Sequence, residues 1–260
     1  MELYHVFVLS AVEGVTEFLP ISSTAHLIMT SRILQIPSSD FLGTFDIAIQ
    51  LGAIGAVATV SRNQILKNKN LIYKAVVGFI PTGIFGVLFY SKIKHMLSDP
   101  LIPVIALFLG GIAIIGIEQY FKRKHDESSE KLLSLEKMTY KDSLKIGLIQ
   151  SLSMIPGVSR SASSIFGSMA IGYNRKAATE FSFILAIPTM AAATSLDLIR
   201  NSQTFSTSQT IFLLVGIVLS YLTALISIKW LLKYLQKNSF FVFGIYRIII
   251  AILFYFLLLH

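Results

Sequence analysis

The sequence predicts an all-α integral membrane protein with six transmembrane helices and two re-entrant helix–loop–helix hairpins in an inverted-topology repeat. The chain of 260 residues is 54% hydrophobic and 14% charged, with a mean hydropathy of +0.70. A soluble domain has about 25% charged residues. Several apolar runs reach the roughly 20 residues that a helix needs to cross a membrane. Two other apolar regions, one in each half of the chain, are interrupted by proline.

The composition also excludes several functional classes. The chain has no cysteine, so it has neither disulfides nor thiol chemistry. Its net charge of +8 could indicate nucleic-acid binding in a soluble protein, but basic loops at a membrane surface explain it better. We therefore expect membrane lipids and no nucleic acid as partners. No basic segment precedes the first apolar run, which contains Glu13 and Glu17, so we expect no cleavable signal peptide.

Six apolar stretches have the length of complete membrane spans. They are approximately Phe41–Val60, Leu71–Tyr90, Leu101–Phe121, Ala177–Ile199, Ile211–Leu232 and Phe240–Leu259.

Two further apolar regions, Met1–Ile36 and Tyr140–Gly172, are broken in the middle, at Leu19-Pro20 and at Pro156-Gly157. Proline removes a backbone donor and ends a helix. Irregular backbone at membrane depth is tolerated only where it is buried in protein or lines a cavity. Each region is therefore predicted to be a hairpin that enters and leaves the membrane on the same side.

The distribution of basic residues gives the orientation, because cytoplasmic loops carry an excess of Lys and Arg. With this layout, most of the 22 Lys and Arg residues fall on one side of the membrane. We predict that this side is cytoplasmic. Both termini and the mouth of the first hairpin then lie on the outer face of the plasma membrane.

The two broken regions resemble each other in sequence. Glu13 aligns with Gln150 and Ser22 with Ser159, and the residues that follow Ser22 align with those that follow Ser159. Each hairpin is followed by three spans, and this odd number inverts the second copy relative to the first. The sequence thus predicts one membrane domain, residues 1–260, whose inverted halves, about 1–121 and 140–259, are joined by a charged cytoplasmic loop, 122–139. Inverted repeats with broken helices are a known transporter architecture.

The first hairpin carries two carboxylates one helical turn apart. Glu13 and Glu17 share a helix face and are surrounded by apolar residues, where two carboxylates are costly. A protonated carboxylate, a bound cation or a hydrogen-bond network would each stabilise the pair. A solvated interfacial face is the alternative.

Hydroxyl groups and a histidine follow the first break. Ser22, Ser23 and Thr24 can cap the second half-helix. His26 lies three residues after Ser23, a spacing that lets imidazole and hydroxyl share a helix face. A serine near a histidine and carboxylates has the parts for nucleophilic catalysis with acid–base help.

The second hairpin supplies the opposite charge. Arg160 lies among Ser159, Ser161, Ser163 and Ser164 at the start of a half-helix. Free N–H groups and the helix dipole favour anions there, and the guanidinium fork suits phosphate oxygens. Neutralisation of the glutamates is a second role that Arg160 can have at the same time. Together the two hairpins predict a site for a phosphorylated lipid.

At this point the residues resemble those of a known family, the undecaprenyl-diphosphate phosphatases of bacitracin-resistance type. The resemblance rests on E-G-V-T-E-F-L-P-I-S-S-T-A-H and P-G-V-S-R-S, and on F-D-I-A-I-Q-L-G-A-I, A-T-E-F-S-F-I-L-A-I-P and G-I-Y-R-I. It covers nearly the whole chain. It implies a similar fold, sometimes as a homodimer, and hydrolysis of a polyprenyl diphosphate to the monophosphate, which recycles the carrier lipid for cell-envelope synthesis.

The resemblance also implies roles for individual residues. Ser23 matches the nucleophile and His26 the essential histidine, while Glu13 and Glu17 match a pair tied to acid–base work or to a divalent cation, Mg or Ca. Arg160 and Ser159 match the diphosphate-binding pair. The neighbouring hydroxyls of Ser22, Thr24, Ser161 and Ser164 complete the predicted diphosphate site. A covalent phosphoserine and direct attack by water both remain open.

The sequence departs from the family pattern at three positions. Alanine stands at Ala25 and Ala162 where the family usually has glycine, and serine stands at Ser164 where it usually has threonine. Two charged residues inside predicted spans, Glu180 and Arg247, are expected to form structural ion pairs or to support the site.

The rival function is a transporter or flippase for a phosphorylated lipid or a small anion.

Overall fold

The computed structural model describes residues 1–127, 132–200 and 205–259, and nearly all of this described chain is helical. The α-helices are, in order, α1 (Leu3–Thr16), α2 (Ser23–Ile33), α3 (Asp40–Lys67), α4 (Asn70–Leu88), α5 (Tyr90–Ser98), α6 (Leu101–Glu127), α7 (Tyr140–Gln150), α8 (Arg160–Ala170), α9 (Arg175–Arg200), α10 (Thr207–Tyr234) and α11 (Phe241–Leu259). Two short 3₁₀ segments, Leu135–Lys137 and Ser151–Met154, precede and follow α7. The predicted all-α class is confirmed.

Five of the helices are long and apolar enough to cross a membrane, which indicates a multi-pass membrane protein. Their apolar parts are Asp40–Lys67, Asn70–Leu88, Leu101–Arg123, Arg175–Leu196 and Thr207–Tyr234. The sixth predicted span, Phe240–Leu259, is the helix α11, whose apolar part Phe241–Leu257 is shorter than these five. By length, the described chain therefore has five candidate spans, where the sequence predicts six.

Two further elements differ from the prediction. Helix α5 lies where the sequence analysis assigns no element, between the second and third predicted spans. Its nine residues contain no apolar run long enough to predict a helix. Helix α6 continues beyond Phe121 to Glu127, so the first part of the predicted linker is helical. The linker residues 128–131 lie outside the described residues.

Both predicted helix breaks are present. Helix α1 has 14 residues and ends before Pro20, so it is about 21 Å long, shorter than the roughly 30 Å hydrocarbon core. Helices α2, α7 and α8 have 11 residues each. None of these four helices is long enough to cross the hydrocarbon core alone.

The helices pack in corresponding pairs. Helix α1 packs on α10 and α7 packs on α4; α3 packs on α10 and α9 packs on α4; α6 packs on α11. Close approach depends on small residues, as is common between membrane helices. A Cβ added at Gly147 of α7 would collide with the Gly78 carbonyl of α4. The largest apolar core includes Phe18 and Leu19 at the first break and Phe166 of α8, so it joins the first break to the helix that follows the second.

Candidate active site

The two helix breaks meet inside the molecule. The Ser161 hydroxyl of α8 donates to the carbonyl oxygen of Leu19, at 2.7 Å. A cavity of about 70 Å³ lies between the breaks. Four lining residues come from the first hairpin and four from the second: Glu17, Ser22, Ser23 and Thr24, then Ser153, Gly157, Ser159 and Arg160. The cavity therefore exists only where both hairpins are in place.

The helices α2 and α8 begin in the same way at this cavity. Ser22 and Ser159 are their N-caps, and their hydroxyl oxygens accept from the N–H groups of Ala25 and Ala162, at 3.5 and 3.2 Å. Both serines have positive φ, 71° and 80°. This conformation is unusual for a non-glycine residue and is often found at functional sites. Both helix N-termini thus lie beside one polar cavity, where their dipoles favour an anion.

Glu17 links the nucleophile candidate to the arginine. The Ser23 hydroxyl donates to Oε2 of Glu17 at 2.5 Å. Oε1 of Glu17 accepts from Nε and Nη2 of Arg160, at 3.3 and 3.2 Å. The Arg160 and Glu17 side chains are only 11% and 10% exposed. A carboxylate that holds a serine hydroxyl on one oxygen and a guanidinium on the other can orient and deprotonate the serine.

Arg160 is held in place by two further contacts. Its Nη1 donates to the carbonyl oxygen of Ser182 on α9, at 3.2 Å, and its Cζ lies 5.5 Å from the centre of the Phe18 ring. Phe18 belongs to the first hairpin, so this cation–π contact also joins the two hairpins. The guanidinium is therefore fixed at the cavity wall.

Glu13 has a different environment from Glu17. It is completely buried, does not line the cavity, and neither of its carboxylate oxygens has a hydrogen-bond partner in the described structure. The carboxyl groups of Glu17 and Asp46 and the guanidinium of Arg160 act on it electrostatically. A buried carboxylate with two negative neighbours is stabilised by a proton or by a bound cation.

His26 does not contact Ser23, although the spacing allowed it. Its Nδ1 lies 2.7 Å from the carbonyl oxygen of Ser22, and its Nε2 lies 2.9 Å from the hydroxyl of Tyr246 on α11. A carbonyl oxygen can only accept, so Nδ1 carries the hydrogen. In the neutral form of the ring, Nε2 then accepts from the hydroxyl of Tyr246. His26 therefore fixes the backbone at the start of α2 and does not reach the cavity.

Two of the predicted diphosphate-binding hydroxyls point elsewhere. Ser161 is engaged by Leu19, and Ser164 bonds to the hydroxyl of Ser182 at 2.6 Å and to backbone carbonyls. Thr24, Ser22 and Ser159 do line the cavity. The hydroxyl of Ser161 has a structural role in joining the hairpins, because its short bond crosses between them.

Four residues at the site were not identified from the sequence. Ser153 and Gly157 line the cavity, Ser182 holds Arg160, and Tyr246 holds His26. Gly157 has a φ of 96°, and an added Cβ would collide with the backbone of Pro103, so only glycine fits. Tyr246 and Ser182 lie in the motifs that resemble the family, so these motifs could have identified them. Nothing in the sequence marks Ser153.

The carboxylates alone do not complete a site for a divalent cation. Within the described residues, no group of three or more His, Asp or Glu side chains is arranged to hold a metal ion. Glu17 is already occupied by Arg160 and Ser23. Glu13 offers two free oxygens, but one carboxylate falls short of the six or more oxygen ligands that Mg²⁺ and Ca²⁺ take.

Comparison with known proteins places these residues in context. Residues 6–253 match the family described as bacitracin resistance protein BacA. The chain is 45% identical over 258 residues to an undecaprenyl-diphosphatase of Wolinella succinogenes, covering 99% of both chains. It is 44% identical over 255 residues to the undecaprenyl-diphosphatase of Aquifex aeolicus, covering 98% of both. A protein of the same name from Sulfurihydrogenibium is also 44% identical over 255 residues, covering 98% of this chain and 99% of the relative.

Proposed function

The chain belongs to the bacitracin resistance protein BacA family, and from this premise we propose that it hydrolyses undecaprenyl diphosphate to undecaprenyl phosphate and inorganic phosphate. The enzyme is then a phosphatase that recycles the carrier lipid of cell-envelope glycan synthesis. The single observation that carries this proposal is the chain of contacts from Ser23 through Glu17 to Arg160 beside a cavity built by both hairpins.

The second hairpin provides the binding half of the site. Arg160 is the cation at the cavity, and the N-termini of α2 and α8 add backbone N–H groups. A diphosphate entering the cavity competes with Glu17 for the guanidinium, since phosphate oxygens form strong paired hydrogen bonds with arginine. The phosphate takes over the Nε and Nη2 donors of Arg160, while Nη1 stays on the Ser182 carbonyl. Glu17 is then released from its ion pair and can accept the proton of Ser23.

The first chemical step follows from the Ser23 hydrogen bond. Ser23 gives its hydroxyl proton to Glu17 while its Oγ forms a bond to the terminal phosphorus. The bridging P–O bond of the diphosphate breaks, and undecaprenyl phosphate leaves with the electron pair. In the second step, water attacks the phosphoserine, Glu17 returns the proton to Ser23, and both water hydrogens leave in dihydrogen phosphate. Arg160 balances the charge of the transferring group in both steps.

His26 contributes to this reaction through the backbone. Its Nδ1–H fixes the carbonyl of Ser22, the residue directly before the nucleophile. A shift of the Ser22 carbonyl would move Ser23 relative to the phosphate. We assign His26 to positioning Ser23, in place of the direct acid–base role suggested by the spacing.

A divalent cation, Mg or Ca, belongs to the proposal only together with the substrate. Mg²⁺ is commonly held by one or two carboxylates and by substrate phosphates. Glu17 lines the cavity, and Glu13, one helical turn before it, has two oxygens without a hydrogen-bond partner. The cation would supply charge neutralisation of the diphosphate, and no step above depends on it.

The membrane arrangement that we propose has six spans with the two hairpins re-entering from opposite faces. The short helices α1, α2, α7 and α8 and the corresponding pairs of packed helices support it. We place both termini and the mouth of the first hairpin on the outer face of the plasma membrane, because the opposite side carries most of the Lys and Arg residues. A homodimer is part of the proposal on the family resemblance alone.

A transporter or flippase for a phosphorylated lipid or small anion is the second candidate. The paired packing of α1 on α10 and α7 on α4 favours it, since such exchanged repeats support alternating access. A carrier needs Arg160 but has no use for the hydrogen bond between Ser23 and Glu17.

The experiment measures phosphate release from undecaprenyl diphosphate by the purified chain in detergent, and lipid movement by the same chain in liposomes. We expect phosphate release by the wild type and its loss in Arg160→Ala. Lipid movement with no phosphate release by the wild type would favour the carrier. Phosphate release by Arg160→Ala at the wild-type rate would refute the assignment of the binding half.

A further inference from the structure

Arg247 of α11 is a fully buried arginine whose partners are all backbone carbonyls. Nε donates to Leu107, Nη1 to Pro20 and Val158, and Nη2 to Ala106 and Gly157, at distances from 2.8 to 3.2 Å. These bonds match the five N–H donors of a guanidinium. Among the described residues, no carboxylate forms a salt bridge with it. The ion pair expected from the sequence is therefore absent from the described structure.

Three of the five accepting carbonyls lie at the helix breaks. Pro20 is the turning point of the first hairpin, while Gly157 and Val158 directly precede the N-cap of α8. One nitrogen, Nη1, donates to both breaks at 3.1 Å. The remaining two carbonyls belong to α6. A single side chain thus connects the two hairpins to one spanning helix.

Backbone groups at a break have lost their helical partners. An unsatisfied backbone group in the hydrocarbon region costs several kcal/mol. The flat, rigid guanidinium offers its donors in fixed directions, so it satisfies these carbonyls only when the two breaks have one relative placement. A flexible ammonium group or an amide would not impose that placement.

We propose that Arg247 is a positioning residue that holds the two helix breaks at a fixed separation and so sets Ser23 against Arg160. Pro20 lies three residues before Ser23, and Val158 two residues before Arg160. This inference rests on the proposed phosphatase function. Misplacement of reacting groups by about 1 Å can cost about 100-fold in rate.

Helix α6 offers a perturbation that leaves Arg247 in the chain. An added Cβ at Gly110 would collide with the guanidinium, with Cζ at 2.7 Å, whereas a Cβ added at Gly116 of the same helix meets nothing within 4 Å. Gly110→Ala and Gly116→Ala therefore change the helix propensity equally. Only the first displaces Arg247.

The experiment measures kcat and KM for phosphate release, per mole of folded protein, together with the thermal midpoint in detergent. For Gly110→Ala we expect kcat to fall about 100-fold with KM changed less than about threefold, and for Gly116→Ala we expect wild-type kinetics. We expect Arg247→Lys, which keeps donors for Pro20 and Val158, to retain more kcat than Arg247→Gln. A merely structural role would lower the thermal midpoint and leave kcat unchanged.

Two results would overturn the inference. The first is a kcat for Gly110→Ala equal to that of Gly116→Ala. The second result applies if Gly110→Ala does not fold. It is a kcat equal to that of the wild type for folded Arg247→Lys or Arg247→Gln. An inactive wild type in the same assay would refute the phosphatase function instead, so the two failures are distinguishable.

Discussion

The ion pair between Glu17 and Arg160 gives the sharpest prediction, because it should affect stability and activity differently. Glu17→Gln keeps the shape of the side chain and removes its charge, which leaves Arg160 buried without a counter-ion. Arg160→Gln removes the positive charge and leaves Glu17 buried without a counter-ion. Since both side chains are only about a tenth exposed, at 10% and 11%, breaking the pair should cost about 3–5 kcal/mol of unfolding free energy in either single variant.

The double variant separates the two roles. With both charges removed, no unpaired charge stays buried, so its loss of unfolding free energy should fall short of the sum of the single losses by about 2–3 kcal/mol. Activity should not recover, because the double variant lacks both the base for Ser23 and the phosphate ligand. We expect a fall of about 10²-fold or more in kcat for every variant without Glu17.

The assay is a double-mutant cycle of unfolding free energies in detergent, with phosphate release measured on the same preparations. The i, i+4 pair of Lys176 and Glu180 is the matched control, since its atoms are 3.9 Å apart and Lys176 is 73% exposed. The coupling free energy between Lys176 and Glu180 should be below about 0.5 kcal/mol. Additive losses for Glu17 and Arg160, or an active double variant, would refute the reasoning.

Three further predictions follow from other parts of the structure. Tyr246→Phe removes the hydroxyl that binds His26. Loss of a hydrogen bond whose free energy is about 0.5–1.5 kcal/mol should lower kcat/KM roughly 2- to 12-fold. An unchanged kcat/KM would contradict the role of Tyr246. Burial tends to raise the pKa of Asp142, but hydrogen bonds from Thr139 and Tyr173 outweigh it and lower that pKa below 3.8. Because a lowered pKa stabilises the fold at higher pH, the stability advantage over Asp142→Asn, measured by denaturation, should be complete above pH 3.8 and decline as the pH falls below it; an advantage that grows in acid would contradict this. In a chain without cysteine, a thiol-reactive, membrane-impermeant label should modify Lys92→Cys but not Glu136→Cys in intact cells, and the opposite pattern would invert the proposed orientation.

The positions of the helix breaks were predictable because proline and polar residues coincide there. Pro20 and Pro156 each interrupt an apolar run beside charged and hydroxyl residues, whereas Pro81 and Pro188, in apolar surroundings, lie inside the continuous helices α4 and α9. The charges at the breaks were equally visible, since Glu17 and Arg160 are conspicuous in an apolar chain. Opposite charge in two similar segments predicted that Arg160 neutralises the glutamates, and the structure shows that Glu17 is the glutamate that it contacts.

Other features depend on contacts that periodicity does not encode. Spacing placed His26 beside Ser23, but the Ser22 carbonyl and Tyr246, 220 residues away, bind both ring nitrogens. Arg247 was expected to form an ion pair or to support the site, and its donors bind backbone carbonyls of the two helix breaks and of α6. The alanines that replace the usual family glycines are compatible with the fold, because Ala25 and Ala162 lie in the first turns of α2 and α8, where ordinary helical backbone suffices.

The central claim is that Ser23, activated by Glu17, attacks a diphosphate held by Arg160. The most direct measurement is the initial rate of phosphate release from undecaprenyl diphosphate by folded Ser23→Ala, compared with the wild type. The account predicts a loss of about 10³-fold or more in rate for the protein that remains folded, because the nucleophile is removed while the ion pair between Glu17 and Arg160 stays intact. Loss of the hydrogen bond from Ser23 to Glu17 should lower the thermal midpoint only modestly. A rate within tenfold of the wild type would contradict it.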